Sequence, residues 1–251
     1  QAAMMPPKGA EARAQALAEM GGLLHQQATD PQLAQWLEQA AAEDLDAVQQ
    51  ASLREMRREW QRANALPQRL VQAKSLAESR CEHAWRSQRP ANDWAGYAVH
   101  LREVLALARE EAQALSDASG LSRYDALLDQ YEPGMRSTEV DRVFGDLRQW
   151  LPGLIQRVQA HQQRETVLVP EGPFATAAQR ALGLDAMKLM GFDFEAGRLD
   201  ESAHPFCGGV PEDVRMTTRY REDSFLPSLT GTIHETGHGR YEQNLPREWL
   251  G

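Results

Sequence analysis

Cysteine is nearly missing from this chain of 251 residues. Cys81 and Cys207 stand far apart and outside any CxxC pair. Two such thiols build no disulfide framework, and they suit a reduced, cytoplasmic setting. Long apolar runs are missing too. Mean hydropathy is −0.57, and no stretch nears the roughly 20 residues a membrane span needs, so no membrane partner is expected. Residues Gln1 to Pro7 lack the basic region and apolar stretch of a secretory leader. Nor is there an excess of positive charge. A net charge of −9 and a pI near 5.3 argue against a nucleic-acid partner. Finally, there is no internal repeat and no low-complexity linker. What remains, 42% hydrophobic and 25% charged residues, is the composition of a globular chain long enough to bury a core.

From Lys8 to about residue 163, Ala, Leu, Gln, Glu and Arg dominate, and the sequence reads as helix after helix. Asp30-Pro31 is a helix start, with Asp as N-cap and Pro in the first turn. Leu33, Trp36, Leu37 and Ala40 follow as a core stripe. Leu53, Met56 and Trp60 form another, broken at Pro67, and Leu70, Leu76, Ala77, Ala84 and Trp85 run on to Pro90. Asn92 or Asp93 caps a helix carrying Trp94, Tyr97, Leu101, Leu105 and Leu107. Ser137 or Thr138 caps one with Val140, Phe144, Leu147 and Leu151. Trp60, Trp85, Trp94 and Trp150 are expected to anchor the core between these helices.

After His161 the texture changes. Thr166-Val-Leu-Val169 has the composition of a strand or extended link. Ala177 to Met190 reads as helix, stopped by Gly191. Phe192 to Val210, rich in Gly, Asp, Phe and Pro, reads as loop with one short strand at most, and Val214 to Tyr220 has strand composition. The expected fold is mainly α, a multi-helix, bundle-like body with a small β element beside the last helix. The division falls between a helical region at 1–163 and a region at 164–251, within one continuous structural unit.

That last helix carries the chemistry. His234-Glu235-Thr236-Gly237-His238 sets two histidines four apart, one turn above each other on the same face. Both imidazoles can reach one metal ion, and Glu235 can reach a water bound to it. This is the HExxH arrangement of zinc peptidases. With seven His, chance placement gives the pattern at roughly the 2% level, so the alternative is a helix with two surface or core histidines. The flanks favour the metal. Phe225, Leu226, Leu229 and Ile233 form an apolar stripe leading into the motif, which predicts a buried-side helix of about twenty residues ending before Pro246. Gly231, Gly237 and Gly239 are costly in a helix, each by about 1 kcal/mol against Ala, and suggest that something approaches it closely.

Zinc on His234 and His238 makes Glu235 the general base that takes the water proton and hands it to the departing amine. Asp213, Asp223 and Glu242 are candidates to orient the imidazoles. Tyr241, three residues past His238, either stabilises an oxyanion or packs that face against the core. His204-Pro205-Phe206 lies in a loop before Gly208-Gly209. In Asp213-Val-Arg-Met-Thr217 the alternation projects Asp213, Arg215 and Thr217 to one side of a strand. Arg215 either receives a substrate carboxylate or makes a structural ion pair with an acid such as Asp213.

HPF at 204–206, DVRMT at 213–217 and HETGH at 234–238, in this order and at this separation, resemble the carboxypeptidase Taq family of metallocarboxypeptidases. Met4 to Arg13 and Gly191 to Asp200 are similar to that family too, so the likeness covers essentially the whole chain. The resemblance implies a mostly helical enzyme with a deep groove and one divalent metal, zinc, often replaceable by cobalt. It implies release of C-terminal residues from peptide substrates with broad specificity, and often a homodimer. It assigns metal binding to His234 and His238 and base catalysis to Glu235. It places His204 and Asp213 to Thr217 near the groove. Members of the family are about twice this long, with a glutamate as third metal ligand after the HExxH helix. Glu242 and Glu248, the only glutamates past His238, are poorly placed for that role. The expectation is therefore a fragment trimmed at both ends, inactive alone. The other readings are an HExxH endopeptidase or aminopeptidase, and a non-catalytic helical interaction protein whose HExxH is inert.

Overall fold

The structure, a computed structural model, describes residues 6–166, 168–202 and 204–249. Contacts divide the chain after Gln162 into two compact units. The first contains α1 (Ala10–Ala28), α2 (Pro31–Ala41), α3 (Ala47–Ala65), α4 (Gln68–Gln88), α5 (Trp94–Ser119), α6 (Arg123–Leu128) and α7 (Ser137–Gln162). Local chemistry starts and stops these helices. Asp30 accepts the Gln32 N–H ahead of Pro31, and Asp46 forms a reciprocal capping box with Gln49. Asp93 caps α5, which ends at Gly120 in the left-handed region.

In this unit α4 packs against both α1 and α5. The buried residues there are mostly small, among them Ala14, Ala18, Ala77, Ala98 and Ala112, with Leu70 and Leu115 between them. Small side chains let helix axes approach, and ion pairs pin the seams. Arg80 grips Glu11 with two bonds of 3.0 and 2.5 Å. Lys74 pairs with Glu111, which is buried.

Several expected anchors are not in this core. Trp94, Trp150, Trp36 and Met56 are exposed, and Trp60 and Trp85 are half-buried. Helical spacing identified a face correctly but not whether another element covers it. Helix α7 shows this most clearly. Its apolar stripe is present, yet no residue of the helix is buried.

The second unit holds α8 (Thr176–Leu189), β1 (Gly197–Glu201), β2 (Phe206–Val210), β3 (Asp213–Thr218) and α9 (Leu226–Gln243). The sheet order is β1-β3-β2. Strand β1 runs parallel to β3, with Leu199 beside Met216. Strand β2 runs antiparallel, with Cys207 beside Met216. Two strands thus stand where the sequence suggested loop with one at most. GRLDE and FCGGV are short, charged or glycine-rich, and carry little of the β-branched signal that marks strands. Thr166, Leu168 and Val169 belong to no strand; Val167 lies outside the described residues. Gly209, at φ 134°, could carry no side chain: a Cβ there would stand 2.1 Å from the Asp213 carbonyl.

Met187, Phe192, Leu199, Val214 and Met216 form the core of this unit. Gln179 ties its edges together. Its amide nitrogen donates to the carbonyls of Phe174 (2.7 Å) and Arg221 (2.8 Å), and its oxygen accepts from the Ser228 hydroxyl at 2.7 Å. No described helix is long and apolar enough to cross a membrane.

Candidate metal centre

Helix α9 lies over the sheet and α8, but not by the stripe expected of it. Leu226 and Ile233 are exposed, and Phe225 and Leu229 only half-buried. The buried face is Ser228, Thr232, Glu235, Thr236 and Gly239. Small polar residues replace large apolar ones because the backbone comes close. A Cβ on Gly239 would meet Phe192 at 2.8 Å and the Met216 sulfur at 3.2 Å. Thr236 donates within the helix to Thr232 O (2.6 Å), and the Ser228 hydroxyl lies between two acceptors, Gln179 Oε1 (2.7 Å) and Phe225 O (2.8 Å). Of the three glycines, then, Gly239 marks the close approach. Gly231 makes ordinary contact with Pro205, and Gly237 faces open space.

His234 and His238 sit on the exposed side. Their Nε2 atoms converge to 3.2 Å, with ring centroids 4.9 Å apart and planes at 78°. At the ordinary zinc–nitrogen distance of about 2.0–2.1 Å, that separation corresponds to a nitrogen–metal–nitrogen angle of roughly 100–106°, near tetrahedral. That separation is one a single zinc ion can span. Among the described residues no third His, Cys, Asp or Glu joins them.

Glu235, between the two histidines in sequence, is 8% exposed, and its carboxylate has no hydrogen-bond partner among the described residues. Cys207 lies within electrostatic reach. Partial burial, then the charges of Glu235 and Glu242, push its thiol up to about 11. Sequence reasoning did not single out Cys207. The signal was available, since in a strand that follows HPF the residue after Phe206 turns to the opposite face.

The other candidates divide by sheet face. Val214, Met216 and Thr218 of β3 are buried, and Thr218 donates to Ser228 O of α9 at 3.3 Å. Asp213, Arg215 and Thr217 therefore occupy the face turned away from α9. Arg215 binds Asp213 through Nε (2.6 Å) and Nη2 (2.9 Å), and this bond holds the Asp213 carboxyl below its usual range. Of the two readings of Arg215, the structural ion pair is the one observed. Asp223 is likewise held by Arg221, so neither aspartate orients an imidazole. Thr217 donates to the His204 carbonyl at 2.9 Å, which fixes the HPF loop. Pro205 of that loop lies against Gly231, one turn before His234. His204 itself is exposed. Tyr241 is 69% exposed, so it does not pack against the core.

A family model described as carboxypeptidase Taq (M32) metallopeptidase matches residues 1–251. The chain belongs to the carboxypeptidase Taq (M32) family. Among curated relatives, thermostable carboxypeptidase 1 of Thermus thermophilus is 42% identical over 263 aligned positions, covering 100% of this chain and 52% of that protein. Carboxypeptidase 1 of Bacillus subtilis is 28% identical, covering 98% of this chain and 49% of its own. Among solved structures, metallocarboxypeptidase 1 of Trypanosoma cruzi superposes with a TM-score of 0.83 at 46% identity, over 98% of this chain and 50% of that one. The M32 chain described here thus spans about half the length of the relatives it matches. The mainly helical fold is as the resemblance implied, and the small sheet beside the HExxH helix is as the strand composition of Val214 to Tyr220 suggested.

Proposed function

We propose that this M32 chain carries the metal-gripping and proton-transferring part of a carboxypeptidase that releases C-terminal amino acids from peptides. The observation that carries the reading is the 3.2 Å convergence of two imidazole nitrogens beside Glu235, a mostly buried residue whose carboxylate makes no hydrogen bond among the described residues. His234 and His238 hold the ion through Nε2. Imidazole donors favour zinc, with cobalt able to substitute. An ion bound there supplies a water acidified towards neutrality and a Lewis acid for the scissile carbonyl.

Glu235 takes a proton from the attacking water on its carboxylate and returns it to the departing amine nitrogen. Tyr241, on the histidine side of α9 and free of core packing, offers its hydroxyl to the tetrahedral oxyanion. Thr217, on the far face of the sheet, holds the His204 carbonyl and with it Pro205, which lies against α9. Asp213 and Arg215 brace the outer face of the sheet. The working setting is the cytoplasm, the substrates are peptides rather than nucleic acids, and a homodimer fits the family.

Two protein ligands are one short of a catalytic zinc site. The 251-residue polypeptide alone therefore binds zinc weakly and hydrolyses nothing. The test measures zinc stoichiometry and turnover of peptides with free and with amidated C-termini on this polypeptide. Sub-stoichiometric zinc and no turnover are expected. Stoichiometric zinc with activity overturns the fragment reading, and cleavage of amidated peptides overturns the carboxypeptidase assignment.

A further inference from the structure

The helical unit holds a second concentration of charge that peptidase chemistry does not use. Between the α2–α3 turn, α3 and the α6–α7 loop lies an open cleft of about 660 Å³. Arg54, Arg57, Arg58 and Arg136 line it, against the acids Glu43 and Asp129. In a chain with 36 acidic and 27 basic residues, this is a local reversal of sign. Arg54, Arg57 and Arg58 converge because spacings of three and four place them on one face of α3. Like charges on one helix face repel unless something negative lies between them.

The protein itself supplies only part of that. Asp129 accepts from Arg136 at 2.7 Å and from the Gly134 N–H at 3.0 Å. Arg58 pairs with Glu55 at 2.7 Å. Arg57 reaches only a neutral acceptor, the Leu37 carbonyl at 3.1 Å. Arg54 has no hydrogen-bond or ion-pair partner among the described residues. Two guanidinium groups lining this cleft therefore make no ion pair among the described residues.

A second cleft of about 590 Å³ shares Arg58, Gln61, Asp129 and Arg136 with the first. Its remaining wall is mixed: Trp60, Leu115, Leu121 and Ala126 give it an apolar side, contributed by α3, α5 and α6 and the turn between them, and Arg62, Asn64, Ser119 and Gln130 a polar one. Trp60 Nε1 is buried there without a partner among the described residues. A cationic recess beside one with an apolar side, each within the usual size of small-molecule sites, suits a two-part ligand.

We propose that the joined clefts bind a small amphiphilic anion. Its carboxylate or phosphate head is held by Arg54 and Arg57, and its apolar body lies against Trp60 and Leu121. The planar guanidinium fork serves either head group. The site lies wholly within α2–α7 and stands apart from the metal reading.

The test is calorimetric titration of the metal-free, EDTA-treated chain with phenyl phosphate, phenylacetate and inorganic phosphate, at low and at physiological salt. At least one of the two aromatic anions should bind saturably at one site, more tightly than inorganic phosphate, and weaken as salt rises. Which of them binds better identifies the head group. Arg54→Gln should lose affinity by about tenfold or more, since a charge-assisted hydrogen bond goes with it. Adding Arg57→Gln should lose more. Arg57 also links α3 to α2, so circular dichroism checks that the double variant folds. Arg54→Gln, exposed and partnerless, decides the question if it does not. His234→Ala should bind the same anion unchanged. Absence of saturable binding, or equal affinity in Arg54→Gln, overturns the site. Inorganic phosphate binding as tightly as the aromatic anions overturns the two-part ligand.

Discussion

Adding one methyl group to α9 should have opposite consequences at two positions only two residues apart. Gly237 and Gly239 both lie inside the helix, so replacing either by alanine gains helix propensity of about 0.8–1 kcal/mol. At Gly237 the new Cβ meets nothing within 4 Å, and Gly237→Ala should stabilise by nearly that whole amount. At Gly239 the same atom lands 2.8 Å from Phe192 and 3.2 Å from the Met216 sulfur. Both side chains belong to the fully packed core of the unit and have little room to give. Overpacking of this kind costs about 1–3 kcal/mol, which offsets the propensity gain and leaves a net loss of up to about 2 kcal/mol. The two variants should thus differ by at least about 1 kcal/mol in urea unfolding followed by circular dichroism. Equal effects of the same sign would refute the claim that the backbone at Gly239 rests directly on the sheet.

Gln179→Ala removes the bonds to Phe174 O, Arg221 O and the Ser228 hydroxyl from a buried position; the expected loss is about 2–4 kcal/mol in urea unfolding. Lys74→Met leaves Glu111 buried without its cation. It should cost about 1–3 kcal/mol by the same measurement, whereas the double variant with Glu111→Leu should recover much of that. Cys207, with its thiol pushed up to about 11, carries about a hundredfold less thiolate at pH 8 than an ordinary cysteine. Because the folded state favours the protonated thiol, its contribution to stability is complete below the ordinary thiol range and fades as pH rises through about 11. Iodoacetamide at pH 8, read by mass spectrometry, should modify Cys207 far more slowly in the folded chain than in urea. Equal rates would contradict its placement beside Glu235.

The helices were legible because their signals are local. Asp30-Pro31 and Asp93 sit at the starts, and stretches rich in Ala, Leu, Gln, Glu and Arg follow. Which face each helix buries was less legible. Trp94 and the α7 stripe have the right spacing but stay exposed, since burial depends on what packs there and no single helix encodes its neighbour. In α9 the reading was inverted. Large apolar residues such as Ile233 face out, while Ser228, Thr232 and Gly239 face in. Close backbone approach selects small residues, and their period, rather than that of the large ones, was the usable signal. Strands β1 and β2 were missed because GRLDE and FCGGV carry no alternation of large apolar residues. The HExxH, HPF and DxRxT motifs were recognisable in sequence, but that the Asp213–Arg215 pair faces away from α9 needed the strand register.

The central claim is that His234 and His238 grip one ion together, and the imidazole proton signals of the seven histidines report on it directly. Titrating the chain with zinc under NMR should move the resonances of His234 and His238 in concert, along one shared, weak saturation curve, while the remaining five stay put. His234→Ala should abolish the response of His238. Separate titration of the two rings, or zinc shifts at His238 that persist in His234→Ala, would contradict the account.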